Sequence, residues 1–197
     1  MNPTGIFRIL CTLIALATAA ISRPVVVIDA GHGGHDRGGM PGQRVPEKGY
    51  ALDVSRRLES ILGSAGYRTV MTRRKDVFVS LGDRVAIANQ QRNAIFVSIH
   101  FNAAPNRDAT GIETYYGSGR SSARLAAAIH SRVLRASGSE DRRVRSRGFH
   151  VLRKSKVPAV LCELGFLTNR GEARQIASGS HRQKLAEAIA AGISSRY

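Results

Sequence analysis

The chain has 197 residues and carries 30 lysines and arginines against 14 aspartates and glutamates, a formal charge of +16. At about 150 residues per domain this length predicts one domain and excludes an array of binding modules, while 43% hydrophobic and 22% charged residues exclude disorder and collagen-like repeats. A chain of this size buries roughly 70% of the surface its unfolded form exposes, so a metal or disulfide is not needed to hold the fold.

Residues 1–22 stand apart from the rest. Arg8 precedes an apolar run from Ile9 to Ala20 that holds Cys11 and ends among the small residues Ala17-Thr18-Ala19, the anatomy of a secretory signal peptide. The run falls short of the about 20 residues that span a bilayer, so cleavage leaves no stable membrane span. Residues 23–197 then form the mature domain, expected to be exported to the periplasm, the cell envelope or the extracellular space. That domain keeps one cysteine, Cys162, which excludes an intramolecular disulfide.

Val25-Val26-Val27-Ile28 is a short β-branched run closed by Asp29-Ala30-Gly31, as expected of a strand buried on both faces. Residues 31–46 are rich in glycine and proline and form a loop. Pro46-Glu47 opens a helix with Tyr50, Val54, Leu58, Ile61 and Leu62 at helical spacing, and Tyr67 to Thr72 follows as a strand. Ser80-x-x-Asp83 starts a helix, Ala94 to Ile99 reads as another buried strand, Ile112 to Tyr116 as a strand and Ser121 to Ala136 as a helix. From Arg142 to Lys156 there are seven cations and no carboxylate, interrupted by Phe149-His150-Val151-Leu152. Ala159 to Leu161 is a further strand, Asn169-x-x-Glu172 opens a short helix and Ser180-x-x-Gln183 a final one. Alternating strands and helices predict a single α/β domain with a mostly parallel, mixed sheet of about six strands and helices on both faces.

Ligands in such sheets gather beyond the carboxyl ends of the strands. Three strands end there in useful side chains: Asp29 to Gly34 with His32, Ser98 to Asn102 with His100, and Leu161 to Gly165 with Glu163. Two imidazoles and a carboxylate such as Glu47 can hold Zn²⁺ with a position left open, and Glu163 can serve as a base. Taken singly, each has an ordinary role: Glu47 as a first-turn acid favoured by the helix dipole, His32 as a turn residue, His100 as a hydrogen-bonded residue at a strand end. Glu163 is harder to set aside, because a carboxylate directly after Pro158-Ala159-Val160-Leu161-Cys162 is costly to bury without a partner.

Val27-Ile28-Asp29-Ala30-Gly31-His32-Gly33-Gly34, Glu47-Lys48, Ser98-Ile99-His100-Phe101-Asn102-Ala103 and Pro158 to Phe166 together resemble the zinc-dependent N-acetylmuramoyl-L-alanine amidases of the type 3 family. Thr72-Arg73, Arg84 to Asn89 and Gly111 to Tyr116 add to the likeness, which spans about residues 24–195. The resemblance implies that His32, Glu47 and His100 bind Zn²⁺ and that Glu163 is catalytic. The bond cleaved would join the lactyl group of N-acetylmuramic acid to the L-alanine of the peptidoglycan stem. It also implies that peptidoglycan, an anionic polymer, is the partner. Separately, the chain is expected to be a monomer. Ala30, Phe101 and Ala51 depart from the family pattern, where proline, alanine and asparagine are usual. Ala51 weakens the case for Glu47 slightly, through a lost supporting hydrogen bond.

His130 and His181 are expected on helix surfaces, His35 in solvent or against substrate, and His150 is a weaker candidate for substrate contact. A cysteine hydrolase built on Cys162 is the enzymatic alternative; its neighbour Glu163 must face the other way on a strand. Nucleic-acid binding is the other, prompted by a pI near 11.2, but the export signal and the lack of an aromatic-basic motif argue against it. The predicted helix and strands fill the stretch between His100 and Glu163, so no autoinhibitory insert is expected.

Overall fold

The computed structural model describes residues 23–41 and 43–197; the predicted signal peptide lies outside them. The elements are β1 (Val25–Ala30), α1 (Glu47–Ser64), β2 (Thr69–Met71), α2 (Leu81–Asn89), β3 (Ala94–Asn102), β4 (Ile112–Tyr116), α3 (Arg120–Ser137), β5 (Asp141–Ser146), α4 (His150–Arg153), β6 (Ala159–Phe166), α5 (Arg170–Ala177) and α6 (Gly179–Ser194). Six strands form one sheet in the order β2-β1-β3-β6-β4-β5. All neighbours run parallel except β4 and β6. The reversal of β4 and β5 turns their carboxyl ends away from those of β1, β3 and β6.

β1 is buried at every position because the sheet is covered twice. Val26 and Ile28 face a core shared with α1, α3 and α6, through Val54, Leu58, Leu125, Ile129, Leu185 and Ile189. Val25 and Val27 face a smaller core completed by Val85 and Ala88 of α2 and Val151 and Leu152 of α4. The alternation is the period-two signature of a strand, made invisible in the sequence because both faces are apolar.

Helix starts follow their caps where a side chain reaches the backbone. The Ser80 hydroxyl accepts from the Asp83 amide at 3.1 Å, and Asn169 caps α5 by accepting from Gly171 and Glu172. α6 begins at Gly179 rather than at the Ser180 box, and the Ser178 hydroxyl bonds Ser180 instead of capping.

Two elements lie where the sequence showed only a charged stretch. β5, Asp-Arg-Arg-Val-Arg-Ser, pairs with β4 at the sheet edge. Val144 is the one apolar residue it packs inward, because an edge strand needs little apolar surface. α4 is a single short turn that seats Val151 and Leu152 under the smaller core. His130, expected on a surface, is buried: its ring bonds Thr114 at 2.9 Å and Asp141 at 2.9 Å, tying α3 to β4 and β5.

Candidate metal centre and catalytic cavity

The carboxyl ends of β1, β3 and β6 open into one cavity of about 620 Å³ lined by His32, Glu47, His100 and Glu163 among others. His32 enters on the loop after β1, Glu47 from the first turn of α1 and His100 from β3. Their ligand atoms all lie within 4.8 Å of one another. The Glu47 carboxylate bridges the pair, with His32 Nε2 at 3.0 Å from one oxygen and His100 Nδ1 at 2.8 Å from the other. The Phe101 amide donates to the same carboxylate at 2.9 Å, and Asp36 holds His32 Nδ1 at 2.8 Å. A carboxylate on the second ring nitrogen is how proteins orient histidine ligands.

Electrostatics follow from this cluster. Burial raises the Glu47 carboxyl, but the hydrogen bonds and charges of His100 and His32 outweigh it and hold it at about 2. Burial likewise opposes charge on His100, yet Glu47 raises it to about 9. Glu163 differs: burial dominates and pushes its carboxyl up to about 7.

Glu163 pairs in register with His100 across β3 and β6. Its Oε2 is buried with no hydrogen-bond partner among the described residues. A polar atom held that way normally costs free energy, unless a substrate, water or ion completes it. The donor set fits a divalent metal. Two imidazole nitrogens and a carboxylate converge from three separate elements, and the backbone leaves room where they meet. A Cβ at Gly31 would stand 2.4 Å from the His100 ring, and one at Gly38 would stand 2.6 Å from His32 and 2.7 Å from Glu47. The glycines that look like loop punctuation in the sequence are therefore the floor of the centre. His32 itself takes φ +59, a conformation that side chains rarely adopt.

That loop is fixed by residues the sequence did not assign. Arg73 donates to the carbonyls of Ala30 at 2.9 Å, Gly31 at 2.6 Å and Lys48 at 2.8 Å. Arg84 donates to Asp29 at 2.7 Å, to the Ala30 carbonyl at 2.7 Å and to the His32 carbonyl at 2.7 Å. Asp29 also accepts from Thr72 at 2.7 Å and Ser98 at 2.6 Å. Glu113, paired with Glu163 between β4 and β6, is buried and accepts from Asn102 at 2.7 Å and Tyr115 at 2.9 Å. A cation or acid adjoining an apolar strand is the signal that could have marked them.

The weaker candidates separate. Cys162 points into the opposite core, and burial pushes its thiol up to about 12, which removes it as a nucleophile. His150 lines the cavity and His35 stacks on Phe78 at 4.2 Å. Phe101 borders the cavity yet is only 1% exposed and meets Tyr50 edge to face, so its main part is in the core.

A family model described as N-acetylmuramoyl-L-alanine amidase matches residues 26–195. The chain is 41% identical over 186 residues to the protein YqiI of Bacillus subtilis (strain 168), covering 93% of this chain and 89% of that one. It is 36% identical over 175 residues to the N-acetylmuramoyl-L-alanine amidase LytC of the same organism, covering 87% of this chain but only 35% of LytC. The catalytic domain of CwlV, an N-acetylmuramoyl-L-alanine amidase from Bacillus (Paenibacillus) polymyxa var. colistinus, superimposes with a TM-score of 0.83 at 37% identity. That match covers 87% of this chain and 97% of the CwlV domain. With fold, cavity and family model in agreement over nearly all the described residues, the chain belongs to the N-acetylmuramoyl-L-alanine amidase family and is an enzyme of that class.

Proposed function

We propose that residues 23–197, released on export by cleavage of residues 1–22, act as a monomer in the cell envelope. There they hydrolyse the amide between the lactyl group of N-acetylmuramic acid and the L-alanine of the peptidoglycan stem. His32, Glu47 and His100 would hold Zn²⁺, which when bound supplies Lewis acidity at the scissile carbonyl. Glu163 takes a proton from the attacking water as its oxygen adds to the carbonyl carbon. It then delivers that proton to the departing alanine nitrogen as the C–N bond breaks. A carboxyl near 7 suits both halves of this transfer, since it gains and loses a proton readily at neutral pH. Asp36 keeps the His32 ring in place, and the apolar side chains of Phe78, Val79, Leu81, Phe149 and Val151 around the cavity thin out competing water.

The observation that carries this reading is Glu163 Oε2, buried, unpaired and lining the same cavity as the His32, Glu47 and His100 cluster. All of β4, α3, β5 and α4, between His100 and Glu163, belong to the sheet or its cover. The mature protein is therefore expected to work unaided. The test incubates it with purified peptidoglycan, with and without chelator, alongside Glu163→Ala, and identifies products by mass spectrometry. Stem peptides beginning at L-alanine are expected from the untreated enzyme, with both chelation and the substitution lowering the rate by about 10² to 10⁴. Glycan fragments in their place, or activity that appears only with a second protein, would sink the proposal.

A further inference from the structure

β4 and β6 run antiparallel and pair from Tyr116 opposite Val160 to Glu113 opposite Glu163, where their ladder ends. Two residues further along Gly111 would face Gly165, but both take φ values that suit only glycine, +109 and +122. Into this opening comes the carboxylate of Glu172, from the first turn of α5. Its Oε1 accepts from the Gly111 amide at 2.9 Å and its Oε2 from the Phe166 amide at 2.6 Å. One side chain thus stands in for the missing ladder and ties the end of β6 to the residue before β4.

The other side of β6 shows the same corner. His100 pairs with Glu163 and Asn102 with Phe166, so Leu164 and Gly165 together stand against Phe101 alone. Such a bulge bends a strand and re-aims the side chains beside it, and the residue directly before this one is Glu163. Glu172 grips the far end of the bulge through the Phe166 amide, and a Cβ added at Gly165 would lie 3.4 Å from Glu172 Oε2. The other buried acids are engaged elsewhere: Asp29 with Arg84, Glu47 with two histidines, Glu113 with Asn102 and Tyr115. Glu172 is 8% exposed and spends its carboxylate on backbone amides. Burial raises its carboxyl, and the bonds from Phe166 and Gly111 oppose the rise.

We propose that Glu172 is a positioning residue for the amidase reaction: its carboxylate, set between the ends of β4 and β6, holds the bulge that aims Glu163 at the scissile amide. The inference rests on the reading above, since it needs Glu163 to carry the proton. It adds a residue that touches neither substrate nor metal. Glutamine at this position keeps the size but turns an N–H towards one of the two amides, which releases one strand end. A reacting group misplaced by about 1 Å costs on the order of 10² in rate. The candidate zinc ligands come from the loop after β1, α1 and β3, so their hold on the metal should survive.

The test compares Glu172→Gln with wild type on a soluble muramoyl peptide. The expected result is a kcat lower by about 10- to 100-fold, with KM and zinc affinity, read by a chromophoric chelator, each within about twofold. Gly165→Ala reaches the corner from β6, keeps the carboxylate and should show the same split. Glu140→Gln, which removes an exposed carboxylate that bonds Thr110 nearby, should leave all three quantities unchanged. Hydrogen exchange of the wild-type protein by NMR needs no substitution: the Gly111 and Phe166 amides should both be protected, and free exchange at either would overturn the proposal even if neither variant folds. Zinc affinity falling in step with kcat would make Glu172 merely structural and overturn it as well. If wild type cleaves and Glu163→Ala does not, while both variants keep kcat within about twofold, the amidase reading stands and the positioning role is refuted. If wild type leaves the muramoyl–alanine bond intact, the amidase reading fails and takes the positioning role with it.

Discussion

Arginine does two different jobs at the two ends of this sheet. Beside β1, Arg73 and Arg84 are each 3% exposed and have their donors taken up by carbonyls and by Asp29. Along β5 and the segment after it, Arg143, Arg147, Arg153, Lys154 and Lys156 are exposed to solvent. The first pair is structural despite its charge: each guanidinium ties down several carbonyls of a glycine-rich loop that has no regular ladder to satisfy them. The second group leaves its charge in solvent, and its member on the edge strand β5, Arg143, discourages another strand from pairing there. Net charge alone does not separate these roles; burial does.

The hardest test of that contrast is Arg84→Ala. It leaves Asp29, only 1% exposed, as an unpaired buried charge, so unfolding should become easier by about 3 to 5 kcal/mol, readable by denaturant titration. Arg84→Lys should rescue little of this, because an ammonium cannot span Asp29 and the carbonyls of Val79, Ala30 and His32 together. A loss below 1 kcal/mol would mean the loop holds itself.

The candidate metal centre gives the next largest effect, with a sign that can be checked. His100, raised to about 9 by Glu47 against the cost of its burial, is protonated at neutral pH without metal and must lose that proton to become a ligand. Zinc affinity should rise about tenfold per pH unit from 6 towards 9, measured by competition with a chromophoric chelator. For the metal-free fold, the raised His100 stabilises fully below its ordinary 6.5, and that contribution is lost as pH climbs through about 9. Glu47, lowered to about 2, stabilises fully above its ordinary 4.5, and that contribution is lost as pH falls through about 2. The pair therefore supports the metal-free chain best between about 4.5 and 6.5.

The exposed set predicts a surface effect instead. Arg147→Ala/Arg153→Ala/Lys156→Ala should change stability by less than about 0.5 kcal/mol. It should nevertheless weaken binding to sacculi at low salt, while cleavage of a small soluble muropeptide holds steady. An equal fall in both would place these cations in the site. Smallest is Asp53, which joins Arg57 of its own helix to Arg182 of α6. Burial raises its carboxyl, but the hydrogen bonds of Arg57 and Arg182 outweigh it and hold it low, so its stabilisation is present above the ordinary carboxylate range and fades as pH falls. Asp53→Asn should cost at most about 1 kcal/mol near neutrality and less in acid, by thermal unfolding at several pH values.

The layered α/β fold was legible because β1, β3 and β6 are continuous apolar runs broken by glycine and capped helices. Of the four candidate site residues, His32, His100 and Glu163 stood out in the sequence because they follow or close those runs, whereas Glu47 lies in the first turn of α1. β5 was not, since an edge strand with one inward valine has no hydrophobic period to read. Nor was His130: helical spacing alone does not show that β4 and β5 would supply Thr114 and Asp141 to its ring. Arg73 and Arg84 escaped for the opposite reason, since a cation is read as surface until the carbonyls that surround it are known. Glu47 stood beside Ala51, the departure that put it in doubt. Its carboxylate is oriented instead by His32, His100 and the Phe101 amide.

Cys162 lies on the far side of β6 from Glu163, fully buried. It is the one cysteine of residues 23–197, so those residues can close no disulfide among themselves. The same burial turns the thiol into a clock. A thiol reagent can reach it only when the centre of the sheet parts, so its labelling rate in native buffer records how often β6 comes free of its neighbours. Adding zinc to the candidate centre, where His32, Glu47 and His100 join the loop after β1, α1 and β3, should slow that clock.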